Sequence, residues 1–196
     1  MQSLQNICVF CGASSKGDRL YLKYARDVAD ILIDKKSNLI YGGAKWGIMG
    51  EIASHVLDQG GKVKGIIPKF IQEFEGEMLK SKMELIIVES MHLRKEMMVK
   101  CSDAFIIMPG GYGTLDEFFE ILTWKQLGLH QKPIVILNVK GYWDHLIALL
   151  DHIVGEKLAP VESKGLYTVV EYTDDIFDAL ASQKTFDEPV AKLKWS

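Results

Sequence analysis

Cysteine is scarce in this sequence, which has only Cys8, Cys11 and Cys101 among its 196 residues. An odd number without regular spacing provides no disulfide framework, so we expect reduced thiols. Cys8 and Cys11 have the C-x-x-C spacing of some redox and zinc sites, but no second ligand pair follows them. Because Cys8 lies within an apolar run, small buried residues at a strand end are the better interpretation.

Long apolar segments and blocks of like charge are also missing. No apolar run approaches the ~20 residues needed to cross a bilayer, and residues 1–6 lack the apolar region of a secretory signal. Acidic and basic residues are interspersed, with a formal net charge of −3, which disfavours nucleic acid as a partner. We therefore expect a cytoplasmic protein that binds neither membranes nor nucleic acid.

Several sequence fingerprints of enzymes are absent. No G-x-G-x-x-G opens the first helical segment, which argues against an ordinary dinucleotide dehydrogenase, and no P-loop motif is present. The histidines show no metal-ligand spacing, and no nucleophile elbow is visible. We expect an activity that requires no metal and no redox cofactor.

What the sequence does contain is an alternation of short apolar runs and segments with a helical period. Several of the apolar runs do not alternate with polar residues, as expected for strands covered on both faces. The fold class is therefore α/β, with a doubly wound, mostly parallel sheet of about seven strands. The predicted strands are 7–11, 39–41, 63–67, 84–88, 104–108, 133–139 and 167–171. The predicted helices are 19–36, 47–59, 91–100, 115–127, 143–154 and 174–181, the last capped by Thr173 or Asp174.

The predicted domain organisation is simple. Residues 1–182 form a single domain, and residues 183–196 form a tail or a docking segment. Residues 69–83 are the least regular part of the chain and are interpreted as a lid or a surface loop.

Glycine- or serine-bearing segments follow four of the predicted strands. They are residues 12–15, 42–50, 90–95 and 109–114. Ligands bind beyond the carboxyl ends of the strands in an open parallel sheet. A single glycine turn would be weak evidence, because glycine is common wherever a strand turns into a helix. Four such segments at one edge of the sheet predict a ligand site there.

The strongest functional signal is residues 109–117, Pro-Gly-Gly-Tyr-Gly-Thr-Leu-Asp-Glu. A strand leads into this segment and a helix leads out, which leaves backbone N–H groups free to bind an anion. Gly110, Gly111 and Gly113 would let a phosphate approach the main chain. Thr114 would cap the helix or donate its hydroxyl to the phosphate. Three glycines exceed what a plain turn needs, so a phosphate site is favoured.

Charged residues near this turn are candidates for chemistry on a nucleotide or sugar phosphate. Glu117 is predicted in the first helical turn, where the helix dipole alone also favours acidic residues. Asp116 is the competing carboxylate, and the residue pattern does not choose between them. Arg94 and Lys95 are predicted to open a helix, where cations oppose the dipole. They are either an ordinary solvated pair or partners of an anion, such as a phosphate or Glu117.

Together these motifs resemble the LOG family, the cytokinin riboside 5′-monophosphate phosphoribohydrolases. Residues 109–117 match PGGxGTxxE and residues 90–95 match the MHxRK segment; residues 41–50 and 123–128 also agree. The resemblance implies a Rossmann-like homodimer that hydrolyses the N-glycosidic bond of a nucleoside 5′-monophosphate. The products would be a free base and ribose 5-phosphate. A non-catalytic carrier of a nucleotide or phospho-cofactor on the same fold is the alternative.

The resemblance also implies roles for individual residues. Arg94 and Glu117 become the catalytic pair, which selects Glu117 over Asp116. A family glutamate that contacts ligand falls on either Glu75 or Glu77. The implied substrate-binding residues are Ser14, Gly42, Gly43, Met91, Lys95, Gly110, Gly111, Gly113, Thr114 and Thr123.

Three positions depart from the family pattern. Ala44 replaces a usual third glycine, Ala13 replaces a common serine, and Asp116 replaces the glutamate of many plant members. The catalytic pair is unaffected. The family has also been labelled lysine decarboxylase, but no motif supplies the Schiff-base lysine and pyridine-nitrogen partner of pyridoxal phosphate chemistry.

Overall fold

The computed structural model describes residues 4–75 and 83–195, in which strands and helices alternate along the chain. The strands are β1 (Asn6–Phe10), β2 (Asn38–Tyr41), β3 (Val63–Pro68), β4 (Glu84–Val88), β5 (Ala104–Ile107), β6 (Ile134–Leu137) and β7 (Thr168–Val170). The helices are α1 (Arg19–Asp34), α2 (Gly47–Asp58), α3 (Lys69–Glu75), α4 (Met91–Lys100), α5 (Tyr112–Gln126), α6 (Asp144–Gly155) and α7 (Ile176–Ser182). Within these two ranges no helix is long and apolar enough to cross a bilayer.

The strands form one sheet in the order β4-β3-β2-β1-β5-β6-β7. Each pair of neighbours is parallel, which confirms the predicted fold class. The strand order reverses between β1 and β5, and the loops that follow these two strands leave the sheet side by side. They are joined by a hydrogen bond of 3.0 Å from Gly12 N to Pro109 O. The reversal creates the crevice in which Rossmann-like folds bind ligands.

Both faces of the sheet are covered, which explains the uninterrupted apolar strands. Helices α1, α2 and α7 pack on one face, and α4, α5 and α6 pack on the other. Alternate residues of β1 enter the two cores, so that Cys8 and Cys11 lie on opposite faces. Both thiols are free and almost fully buried. The interpretation of these cysteines as small buried residues is therefore confirmed.

The beginning of α5 differs from the prediction. The helix begins at Tyr112 instead of residue 115, because the glycine turn itself adopts helical geometry and the Gly111 carbonyl accepts a hydrogen bond from Leu115 N. Glu117 consequently lies in the second helical turn, not the first. Of the two roles predicted for Thr114, capping of the helix is wrong, since Gly111 is the N-cap and Thr114 lies inside the helix. Donation of its hydroxyl to a phosphate stays a prediction.

Two other local predictions need correction. The segment predicted to be irregular begins with the helix α3, which ends at Glu75; Glu77 lies outside the described residues. Neither Thr173 nor Asp174 caps α7, because these residues belong to a short 3₁₀ turn and the N-cap is Asp175, which makes no side-chain capping bond. The other boundaries shift by only a few residues.

The segment after α7 packs against the domain. The side-chain amide of Gln183 accepts a hydrogen bond from Ile134 N at 2.9 Å and donates one to Ile134 O at 3.0 Å, so it pairs with the first residue of β6. Val190 is almost fully buried at the start of a terminal 3₁₀ turn. The division of the chain at residue 182 stays a prediction.

Candidate active site

Arg94 and Glu117 meet in a buried ion pair at the carboxyl edge of the sheet. Arg94 lies in the first turns of α4 and Glu117 in the second turn of α5, on neighbouring helices. Arg94 Nη1 is 2.8 Å from Glu117 Oε1, and the two side chains are 7% and 2% exposed. The cation at the start of α4 therefore does have an anionic partner, and that partner is Glu117.

The position of Arg94 is determined by its surroundings. The Ser90 hydroxyl accepts a hydrogen bond from Leu93 N and caps α4, one turn before Arg94. Arg94 Nε donates to Ile66 O at 3.2 Å. Gly42 leaves room for the guanidinium, because a Cβ at this position would overlap Arg94 Nη2. Gly42 thus has a structural role in placing the catalytic candidate, and its predicted contact with substrate stays a prediction.

Burial dominates the electrostatics of Glu117. It raises the pKa of this carboxyl to about 7, even though the neighbouring Arg94 guanidinium acts in the opposite direction. Glu117 Oε1 faces Arg94, whereas Oε2 is buried without a hydrogen-bond partner among the described residues. A carboxyl group with one anchored oxygen, one free oxygen and a pKa near neutrality is suited to acid–base chemistry or to stabilising a developing cation.

The glycine turn beside this pair has the features of an anion site. Tyr112, Gly113 and Thr114 precede the first hydrogen bond of α5, from Leu115 N to Gly111 O, so their N–H groups have no acceptor within the helix. A Cβ at Gly111 or Gly113 would meet nothing within 4 Å. Neither glycine has a positive φ. Internal packing therefore gives no reason for glycine there, whereas close approach of a phosphate does.

Gly110 and Thr114 make a different contribution to the turn. A Cβ at Gly110 would lie 2.7 Å from the Cβ of Thr114 and 3.0 Å from Gly12 N. Thr114 is 3% exposed and packs over this glycine. Gly110 and Thr114 therefore pack against each other within the turn, next to the loop that follows β1.

The cationic and acidic neighbours of the pair form a second ion cluster. Lys95 Nζ lies 2.9 Å from Asp116 Oδ2 and 3.3 Å from Glu120 Oε2. Asp116 thus pairs with Lys95, whereas Glu117 pairs with Arg94. The two adjacent carboxylates, which the residue pattern did not separate, have different partners because successive residues of a helix point about 100° apart.

The structure brings some of the other predicted binding residues to the same edge. Ser14 is exposed in the loop after β1, and its hydroxyl accepts a hydrogen bond from Lys16 N at 3.2 Å. Met91 is the first residue of α4. Gly43 follows β2 with a φ of +84°, and a Cβ there would lie 2.9 Å from the Cβ of Ile67. The turn geometry thus explains this glycine, and its substrate contact stays a prediction.

Thr123 lies away from the pair, further along α5. It follows Glu117 by six residues on α5, which places it about 9 Å further along the helix axis. There it lines a groove between α5 and α6, together with Leu122 and Ile153. Its predicted contact with substrate stays a prediction.

Sequence reasoning missed Tyr142, whose hydroxyl donates a hydrogen bond of 2.7 Å to Gly110 O. The only feature that could have indicated Tyr142 is its position in the loop after β6, because β6 lies next to β5 in the sheet. No group of three or more His, Cys, Asp or Glu side chains in residues 4–75 and 83–195 is arranged to hold a metal ion.

Comparison with known proteins places this chain in a family. A family model described as "Possible lysine decarboxylase" matches residues 49–180. A probable cytokinin riboside 5′-monophosphate phosphoribohydrolase of Arabidopsis thaliana, LOG6, is 47% identical over 78% of this chain and 75% of its own length. The Arabidopsis phosphoribohydrolase LOG5 is 38% identical over 97% of this chain and 84% of its own length. The chain belongs to the LOG family.

Solved structures of other proteins have a similar fold. The molybdenum cofactor carrier protein of Chlamydomonas reinhardtii has a TM-score of 0.69 at 19% identity, covering 91% of this chain and 97% of that protein. The molybdenum cofactor binding protein of Rippkaea orientalis has a TM-score of 0.67 at 20% identity, covering 93% and 98%. At such identities the likeness concerns the fold alone.

Proposed function

We propose that this LOG-family protein hydrolyses the N-glycosidic bond of a nucleoside 5′-monophosphate and releases the free base and ribose 5-phosphate. The observation that carries the proposal is the buried Arg94–Glu117 pair, with one glutamate oxygen free, beside the open glycine turn. The names of the plant relatives, which are phosphoribohydrolases, support the same bond and the same class of substrate.

The proposed mechanism begins with the phosphate. The N–H groups at the start of α5 hold it, and this remote binding energy positions the ribose over the Arg94–Glu117 pair. As the bond to the base breaks, the base takes the bonding electrons and the ribose carbon acquires oxocarbenium character. Water adds its hydroxyl to this carbon, and the proton that the water releases neutralises the departed base. The Glu117 carboxylate stabilises this charge or takes a proton from the attacking water, as carboxylates do in glycoside hydrolysis. Arg94 orients Glu117 and favours its ionised form.

The alternative function is a carrier that binds a nucleotide or phospho-cofactor without turnover. Carrier proteins do share the fold. A carrier would need the glycine turn, but not a buried glutamate with a free oxygen and a pKa of about 7. Glu117 therefore favours the hydrolase.

We further propose AMP or a cytokinin riboside monophosphate as the substrate and a homodimer in the cytoplasm as the working form. An exposed apolar surface supports a second copy. Ile87 on β4 and Leu93 on α4 are large apolar side chains that are 50% and 46% exposed.

Assays of base release test the proposed roles. The protein is incubated with AMP and with isopentenyladenosine monophosphate, and the released base is quantified by chromatography. Glu117→Gln and Arg94→Ala should each lower kcat/KM by about 10² to 10⁴-fold, the usual range for such groups. Asp116→Asn is the matched control, because it changes the neighbouring carboxylate, and it should stay within about tenfold of the wild type.

Two results would contradict the proposal. Activity that survives both Glu117→Gln and Arg94→Ala would remove the assigned roles. Tight AMP binding in calorimetry with no adenine after long incubation would favour the carrier.

A further inference from the structure

The glycine turn receives a hydrogen bond from outside its own segment. Tyr142 Oη donates to Gly110 O at 2.7 Å, across 32 residues of sequence. Tyr142 lies between β6 and α6, and β6 is the neighbour of β5, from which the turn emerges. The two loops therefore leave the sheet side by side, and the hydrogen bond from Tyr142 connects the β6–α6 loop to the glycine turn.

The carbonyl that Tyr142 binds controls the direction of an N–H group. In a trans peptide unit the C=O of one residue and the N–H of the next point in opposite directions, and the described residues contain no cis peptide bond. A fixed Gly110 carbonyl therefore fixes the direction of the Gly111 N–H. Without this constraint the Gly110–Gly111 unit could rotate, because glycine has few steric restrictions, and it would then present a carbonyl oxygen to an anion.

Tyr142 is itself held in place from several sides. Its ring makes edge-on contacts with Tyr21, at 5.5 Å between centroids, and with Trp143, at 4.7 Å. The preceding Gly141 has a φ of +72°, a left-handed conformation that favours glycine.

Asn138, the residue after β6, closes this loop with its side chain. Its Oδ1 accepts a hydrogen bond from Trp143 N at 2.7 Å, and its Nδ2 donates to Asp144 Oδ1 at 2.8 Å. The tyrosine hydroxyl is thus presented by an ordered loop.

We infer that Tyr142 is a positioning residue of the phosphate site, whose hydroxyl holds the Gly110 carbonyl away from the ligand and directs the Gly111 N–H toward the substrate phosphate. The inference rests on the proposed function for the identity of the ligand. It assigns to the β6–α6 loop a part in substrate binding through Gly110, without a contact to the substrate.

Tyr142→Phe tests the inference because it removes the hydroxyl and retains the ring contacts. The affinities of the intact chain for AMP, ribose 5-phosphate and adenosine are measured by calorimetry, with Glu117→Gln present in both proteins compared so that AMP is not consumed during the titration. The variant should bind AMP and ribose 5-phosphate about fivefold to tenfold more weakly, as expected for the loss of one hydrogen bond, and should bind adenosine like the wild type. Tyr172→Phe is the matched control, because Tyr172 is exposed in the loop after β7 and should change none of the three affinities.

Base release separates this inference from the proposed function. Tyr142→Phe should raise the KM for AMP by the same factor and leave kcat within about twofold, since phosphate binding is common to the ground and transition states.

Equal losses of AMP and adenosine affinity, or no loss at all, would overturn the role of Tyr142 even if the wild type releases base. A wild type that binds AMP but releases no base would refute the hydrolase while the phosphate-selective loss still supports Tyr142. A wild type that binds neither phosphate ligand would overturn both.

Discussion

Among the individual residues, Glu117 and Asp116 show how one helical step separates two carboxylates. Asp116 has a side chain that is 55% exposed and pairs with Lys95, whereas the side chain of Glu117 is 2% exposed and pairs with Arg94. Burial opposes the charge on Glu117 and raises its pKa to about 7. The ionisation of this group therefore changes within the range in which the protein can be assayed.

The proposed role of Glu117 predicts the direction of the pH dependence. If the ionised carboxylate is the active form, kcat/KM for AMP rises about tenfold per pH unit below pH 7 and is level above it. The profile is measured between pH 5 and 9 (about two units on either side of this pKa). Asp116→Asn should show the same rise shifted to lower pH, because the charge of Asp116 helps to raise the pKa of Glu117. The ionisation of the substrate phosphate near pH ~6 is common to both proteins and does not cause this shift. A rate that falls as the pH rises through 7 would instead identify the protonated Glu117 as the active form.

In the helix α5, a residue that favours ligand binding lowers the stability of the fold. Its first turn contains Gly113, whose missing side chain leaves open space and whose φ is not positive. Glycine inside a helix is destabilising by roughly 0.5–1 kcal/mol relative to alanine. The chain retains glycine at this place although the fold does not require it, which is consistent with the proposed phosphate site.

Gly113→Ala should therefore have opposite effects on stability and on binding. We expect the free energy of unfolding to increase by up to about 1 kcal/mol, and the affinity for AMP to fall at least about tenfold because the methyl group obstructs the approach of the phosphate. Urea unfolding and calorimetry measure the two quantities. Gly155→Ala is the matched control, because Gly155 also lies in a helix with nothing within 4 Å of an added Cβ. It should increase stability without changing AMP affinity; a Gly113→Ala variant that binds AMP normally would contradict the phosphate site.

Across the whole molecule, the edge of the sheet opposite the candidate site holds a buried amine. Lys125 on α5 is 1% exposed, and its Nζ donates a hydrogen bond to Gln183 Oε1. The amide of Gln183 also pairs with the main chain of Ile134 and donates to Thr168 Oγ1 at 3.1 Å. One side chain after α7 thus connects the last turn of α5 with the beginnings of β6 and β7.

The buried Lys125 predicts a pH-dependent difference in stability. Burial lowers its pKa from 10.5 to about 8, so the unfolded chain binds the proton more tightly than the folded one. The charged amine therefore costs stability below pH 8, and this cost disappears as the pH rises from 8 to 10.5. We expect Lys125→Met to be more stable than the wild type at pH 7 by about 1–3 kcal/mol, and to lose most of this gain near pH ~10.

Urea unfolding of the wild type and Lys125→Met at the two pH values measures this difference. Lys16→Met, at an exposed position, is the control and should show no such dependence on pH. A Lys125→Met variant that is less stable than the wild type at neutral pH would mean that the hydrogen bond to Gln183 outweighs the cost of burying the charge.

Much of the fold and part of the site could be predicted before any contact was known. Apolar runs and helical periods depend on local chemistry, and they correctly predicted β4 and α4 to the residue. The glycine turn was found for the same reason, since its sequence is continuous. The start of α5 was not predicted, because the glycines that interrupt the apolar pattern nevertheless continue the helix.

The amino-acid order alone was sufficient for the alternating elements, the parallel sheet and the position of the glycine turn, because each of these is encoded by neighbouring residues. The tertiary structure decided which distant side chains meet: Arg94 with Glu117, Tyr142 with the turn, and Lys125 with the segment after α7. Such contacts depend on the order of the strands and on the rotation of each helix against its neighbours. The resulting burial also sets the pKa of Glu117, a property that no local pattern contains.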